Sequence, residues 1–270
     1  LKVKSPSKPV LYPPVVIAHV VRDLRDLYAS KVVGKNSIEI HYSVQLNGYP
    51  HMGTLMSLAT AFAVGKNFSL NFGIPAKVKL LALENAPAQI KQINGLQYCK
   101  TQANTLVRDK PKSEIYMSSI KKLLDFFQTQ SEICFNIEYY KEFQANTFVR
   151  KILLEIISRQ EEFIPHIAPS EKYLRIRFPC PYCGYMEKTA KLTKIVEKRN
   201  KFDITLSSHC FAHGDYSIRI SSTNNEYVDF NTPLRSVTKE ARLVEDARRT
   251  NAFNLMVDGG DWLGMSYLTP

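Results

Sequence analysis

The chain has 270 residues, of which 44% are hydrophobic and 11% aromatic, and it carries 36 Lys and Arg against 25 Asp and Glu. That composition can build a large packed core, as one big domain or two modest ones, and charge interrupts every apolar run well short of the ~20 residues that cross a bilayer. With no secretory apolar stretch at its start and an odd number of cysteines, the chain reads as a soluble, cytoplasmic protein from a reducing compartment, with no membrane partner.

After a proline-containing start, "VVIAHVVRDLRDLYASKV" places apolar residues at helical spacing and Gly34 ends it, so residues 1–36 read as an N-terminal helical extension. "SIEIHYSVQL" then alternates like a strand. "NGYPHMGTL" is a turn, "LMSLATAFAVGKNFSLNFG" predicts a buried helix closed by Gly73, and "AKVKLLAL" predicts a second strand. This is a β-turn-α-β unit, in which ligands sit beyond the carboxyl ends of the strands, where the turn carries His51. "SSIKKLLDFFQTQ" reads as helix, "ICFNIEYY" as strand and "NTFVRKILLEIISRQEEF" as helix, which continues the α/β alternation to about residue 165.

From Tyr173 to Ile220 the texture changes to short alternating pieces, "YLRIRF", "KLTKIVEK", "FDITLS" and "YSIRI". A last helix, "PLRSVTKEARLVEDARR", leads into "AFNLMVDGGDW". The expected fold is therefore α/β: a Rossmann-like parallel sheet with helices on both faces, split by an inserted zinc-binding β module. Residues 37–171 form its first half, 172–220 the zinc-knuckle insertion and 221–270 its second half. The net charge of +11 is concentrated in the insertion, which alone carries +6, a plausible surface for the phosphates of a nucleic acid or a nucleotide.

The strongest chemical signal lies in that insertion. Cys180 and Cys183 bracket two residues and precede Gly184; Cys210 and His213 bracket two residues and precede Gly214. A two-residue spacer lets both members of a pair reach one ion, and the glycine permits the tight turn that follows. Cys180, Cys183, Cys210 and His213 thus make a closed tetrahedral set, which points to structural zinc. His209 is a rival fourth ligand, but only His213 keeps the matched spacing.

The turn before the first helix carries the second signal. A helix N-terminus just beyond a strand offers free N–H groups and partial positive charge to a phosphate. Gly53 permits close approach of a nucleotide to the backbone. An imidazole such as His51 can donate to phosphate oxygens as negative charge builds during phosphoryl or nucleotidyl transfer.

"NGYPHMGTL", placed between a strand and an apolar helix, resembles the first signature of the class I aminoacyl-tRNA synthetases, usually written His, apolar, Gly, His. "MVDGGDW" resembles that family's second nucleotide-binding turn. With zinc knuckles just before the second half, the chain is most similar to the class I lysyl-tRNA synthetases, over about residues 37–265. The resemblance implies that His51, Gly53 and Thr54 meet the phosphates of ATP, that Gly48 floors the active site, and that Gly259, Gly260 and Asp261 hold adenosine. It implies that Gln45 and Glu84 face the amino acid, Glu84 pairing with a cationic side chain. Zinc, ATP and Mg2+ are the implied cofactors, and an amino acid plus tRNA or another acceptor the partners. Thr54 departs from the family by standing where its signature has a second His or Asn. No Lys-rich signature loop follows within the nine residues after Asp261, so the chain is expected to be part of a longer protein or a relative that does not charge tRNA. Two further readings stand beside amino-acid activation: a synthetase-like nucleotide- or RNA-binding protein without catalysis, and a small-molecule nucleotidyltransferase.

Overall fold

The computed structural model describes residues 17–257. Helix α1 (Ile17–Val32) leads into strand β1 (Ser37–Gln45), helix α2 (Met52–Phe72) and strand β2 (Ala76–Leu83). A hairpin of β3 (Pro87–Ile93) and β4 (Leu96–Thr101) follows, then a two-residue pair, β5 (Leu106–Val107) and β6 (Lys110–Pro111). Helix α3 (Lys112–Ser131), strand β7 (Cys134–Tyr139) and helices α4 (Tyr140–Ala145), α5 (Thr147–Ser158) and α6 (Gln160–Ile167) complete the first half. The central sheet is wholly parallel, in the order β7-β2-β1, and its fourth strand, β14 (Ala252–Met256), flanks β1 on the other side. The chain thus steps outward from β1 to β2 to β7 and later returns across β1, which makes the gap between β1 and β14 the point where strand order reverses.

The alternation in β1 is the reason one strand serves two environments. Ile38, Ile40, Tyr42 and Val44 face α1, α2 and α3 in one apolar core with Leu58, Phe62 and Phe68 of α2 and Ile120 and Leu124 of α3. Each such side chain stabilises by about 1.5–3 kcal/mol on burial. Leu81 and Leu83 of β2 point the other way, into a second core shared with Phe143 of α4 and Leu153 and Ile157 of α5. Helices therefore pack on both faces. On the second face β1 presents Glu39, His41 and Ser43 instead of hydrocarbon. Helix α7 (Thr232–Thr250) covers them, with Lys239 donating to Ser43 at 3.3 Å and Asn254 of β14 meeting His41 at 2.9 Å.

Residues 172–220 fold as short strands β8 (Ile176–Arg177) and β9 (Met186–Glu187), then the antiparallel sheet β10 (Lys194–Asn200), β11 (Asp203–Cys210) and β12 (Gly214–Ser221). This segment does not close on itself. Strand β13 (Asp229–Phe230), which follows it, pairs with β8, and β4 of the early hairpin pairs with β9. The turn of that hairpin, Asn94-Gly95, holds both residues at positive φ (50° and 77°), the geometry that matches the twist of two antiparallel strands.

Two expectations are corrected in detail. The stretch read as one helix from 146 to 163 is two, since Arg159, at φ −114° and ψ 30°, breaks it between α5 and α6. The helix read from Ser118 starts earlier, at Lys112 after Pro111, so Ser118 and Ser119 lie within α3.

Candidate functional site

The metal-ligating residues come together. The ligand atoms of Cys180, Cys183, Cys210 and His213 all lie within 4.8 Å of one another. Cys183 Sγ is 3.6 Å from Cys210 Sγ, and His213 Nδ1 lies 3.6 Å from Cys180 Sγ and 3.5 Å from Cys210 Sγ. A tetrahedron built from Zn–S bonds of about 2.3 Å and Zn–N bonds of about 2.0 Å has S···S edges of about 3.8 Å and S···N edges of about 3.6 Å. The observed edges fit it, so the cluster can hold a metal ion such as zinc.

Local backbone explains the convergence. Gly184 N donates to Cys180 O at 2.8 Å and Cys180 N to Tyr185 O at 2.9 Å, with Gly184 at φ 73°, which folds the first pair into a tight loop. Cys210 and Gly214 are opposed across the β11–β12 hairpin, so the second pair sits in its turn, and Gly214 (φ 75°) supplies the left-handed residue. Burial works against ionisation of Cys210, yet the Ala212 amide and the His213 side chain bring its thiol down to about 7. His209 is not part of the cluster: its Nδ1 meets Asp215 at 2.7 Å on the outer side of the hairpin. The matched spacing that favoured His213 picked out the histidine that joins the cluster.

At the other candidate site, His51 is the N-cap of α2, with extended backbone (φ −102°, ψ 176°), and its Nδ1 accepts from the Gly53 amide at 3.1 Å. A Cβ on residue 53 would sit 2.9 Å from His51 Cε1, so Gly53 is what lets the ring fold back over the turn. Accepting through Nδ1 puts the proton of the neutral ring on Nε2, as a donor. No acidic residue occupies the first turn of α2, so the positive end of the helix is not cancelled by a neighbouring carboxylate. The turn sits at the carboxyl end of β1, beside the strand-order reversal.

The other residues implied by the resemblance fall out unequally. Gly48 lies in the turn with open space around its Cα, and Gln45, exposed at the end of β1, accepts from Asn47 at 3.2 Å. Thr54 is buried beneath the first turn of α2 rather than open to solvent. Glu84 is neither on the surface nor open to a ligand: it is 6% exposed, and its carboxylate accepts the amides of Tyr140 and Lys141, each at 2.9 Å, so it caps α4. Burial raises its carboxyl above the usual range, although the Lys141 and Tyr140 amides pull the other way. Gly259, Gly260 and Asp261 lie outside the described residues, which end at Val257, whose N donates to His41 O at 2.9 Å, alongside β1.

Sequence reasoning missed two buried polar groupings. Asp229 is fully buried, accepting from Asn85 at 2.7 Å and from Arg177 Nε at 2.8 Å, which ties the end of β2, the insertion and the returning chain together. Glu39, 3% exposed, pairs with Lys77 at 2.9 Å and Lys79 at 2.5 Å. The available signal was the polar alternate positions of β1, unusual in a central parallel strand. Among the described residues no helix is long and apolar enough to cross a membrane. Compared with known proteins, the chain matches no family and no curated sequence.

Proposed function

We propose that this protein is an adenylate-forming enzyme on a Rossmann-like sheet, activating an amino acid with ATP, with structural zinc in the Cys3His cluster. The observation that carries this reading is the position of the α2 N-terminus: a helix start free of acidic side chains, capped by His51, at the carboxyl end of β1 where strand order reverses. In open α/β sheets that is where nucleotides bind. His51 would offer Nε2–H, and the remaining amides of the turn their dipoles, to the phosphates, with Mg2+ drawn from solvent. The carboxylate of the amino acid would attack the α-phosphorus, releasing pyrophosphate. The protein's contribution is positioning and electrostatics.

A second reading, a nucleotide- or RNA-binding protein without catalysis, is favoured by two observations: Thr54 is buried, and Glu84 is committed to capping α4. Amino-acid-dependent exchange of pyrophosphate into ATP separates the two. Exchange with one amino acid, lost by about 100-fold or more in His51→Ala, supports the enzyme. ATP binding without exchange for any amino acid supports the second reading, and pyrophosphate release only with a different substrate class points to a nucleotidyltransferase.

A further inference from the structure

Among the described residues, Arg150 and Arg235 are buried without an ion pair, and their surroundings differ. Arg150, 1% exposed, spends its guanidinium on three oxygens of the 224–226 segment, and its remaining Nη1 is sealed from solvent, so it acts as a tie. Arg235, 9% exposed on α7, gives one nitrogen to Thr232 of its own helix at 3.1 Å. Its Nε and Nη1 make no hydrogen bond, yet neither is fully enclosed. Strand register fixes where that charge stands. The guanidinium carbon lies 5.8 Å from the centre of the Tyr140 ring. Tyr140 directly follows Tyr139 of β7, which is opposite Ala82 of β2, itself opposite Val44 of β1. One helical turn further along α7, Lys239 reaches Ser43 of β1. Arg235 therefore stands at the carboxyl ends of the central strands, on the face that α7 covers. The carboxylates around it are engaged elsewhere: Glu84 caps α4, Asp229 holds Arg177 and Asn85, and Glu138 meets Arg242 at 2.7 Å. The first turn of α7 contains no acidic residue, so the positive end of that helix adds to the same charge.

We infer that Arg235 receives a carboxylate, and that the amino acid activated at this site carries an acidic side chain. A desolvated cation without a counter-ion is costly to fold, and in such surroundings an arriving carboxylate is held more strongly than in water. That the ligand is an amino acid rests on the amino-acid-activating reading; the preference for an anion comes from Arg235 itself. It reverses the cationic side chain expected from Glu84, because the charge left over at the carboxyl ends of the strands is positive. A phosphate of ATP is the other anion that reading supplies. The helix assigned to the phosphates, α2, packs on the opposite face of the sheet, which leaves Arg235 to the second substrate.

The test is calorimetric binding of L-glutamate, L-aspartate, L-glutamine and L-lysine to the full, metal-loaded chain, beside pyrophosphate exchange with the same four. Glutamate or aspartate should bind about 100-fold more tightly than glutamine, which has the length of glutamate without its charge, and lysine should not register. Arg235→Gln should lower affinity for the acidic amino acid by about 100-fold while affinity for ATP holds. Arg235→Lys keeps the charge and should recover part of that loss, and the preference of the parent protein is readable without any variant. Arg235-dependent binding of glutamate or aspartate, with no exchange for any amino acid, overturns the enzyme reading and leaves this inference standing. Exchange with lysine or a neutral amino acid in preference to the acidic ones does the reverse. Equal binding of glutamate and glutamine overturns the inference. So does a loss of ATP affinity alone in Arg235→Gln, which would assign the guanidinium to a phosphate.

Discussion

Two histidines, each followed closely by a glycine, use the same ring nitrogen for different ends. His213 turns Nδ1 toward two cysteine sulfurs, Cys210 of its own turn and Cys180 brought to it by a separate loop, whereas His51 turns Nδ1 back onto its own chain, two residues on. A ring with a partner from another part of the chain marks a site closed by tertiary structure. A ring satisfied locally marks a helix start with one nitrogen left over. The first kind makes a strong claim on chemistry from geometry alone; the second only prepares a surface.

The contrast is sharpest under loss of partners. Cys183→Ser, or a strong chelator, should release the metal and unfold the β10–β12 region, because binding energy at a structural zinc site is folding energy, on the order of 10 kcal/mol. Metal content and near-ultraviolet dichroism would show it, and a chelator-treated protein with unchanged tertiary signal would break the comparison. A third imidazole provides the next largest effect. Burial holds His41 well below its ordinary value, at about 4, so the folded state resists a proton that the unfolded chain accepts near 6.5. Stability from His41 is complete above pH 6.5 and is lost as pH falls toward 4, by about 3 kcal/mol at most. Denaturant midpoints from pH 7 to pH 4 should show this, and His41→Gln should flatten that window. Glu39 works in a lower range, because Lys79 and Lys77 outweigh burial and hold its carboxyl below the usual value. Its contribution is present above pH 4.5 and disappears as pH drops further.

Smaller still is the cap. His51→Ala should cost about 1 kcal/mol of stability, so its effect on exchange must be read beside a melting curve. Gly53→Ala should cost a similar amount by driving the ring off the amide, and equal stability in both variants and parent would deny the capping bond. At the bottom of the scale, His209→Asn removes an exposed pair with Asp215 and should shift stability by no more than about 0.5 kcal/mol while metal stays bound. Loss of metal in that variant would return His209 to the ligand set.

Elements whose signal is periodic were legible in the sequence: the bounds of β2 match "AKVKLLAL", and β1 differs from its expected span only at the last residue. The four residues of the Cys/His cluster were legible too, because spacing and the trailing glycines are local facts. What was not legible depends on contacts between distant segments. The hairpin at 87–101 carried an Asn-Gly turn signal, but β3 leaves most of its residues exposed and so lacks the clean alternation of a half-buried strand. Its pairing with β9, which sets Cys99 opposite Met186, 87 residues on, has no sequence signature at all. Glu84 could not be read correctly either, since the amides it caps belong to a helix 56 residues later.

The Asp229 junction changes what could be cut out and carried elsewhere. Because Asn85, Arg177 and Asp229 share one desolvated carboxylate, and Lys188 N donates to Gln97 O at 2.7 Å, excising 172–220 alone would strip partners from both neighbours. The transplantable piece is the hairpin together with everything from β8 to β13, and a graft that respects that outline should keep its ion where a shorter one unravels.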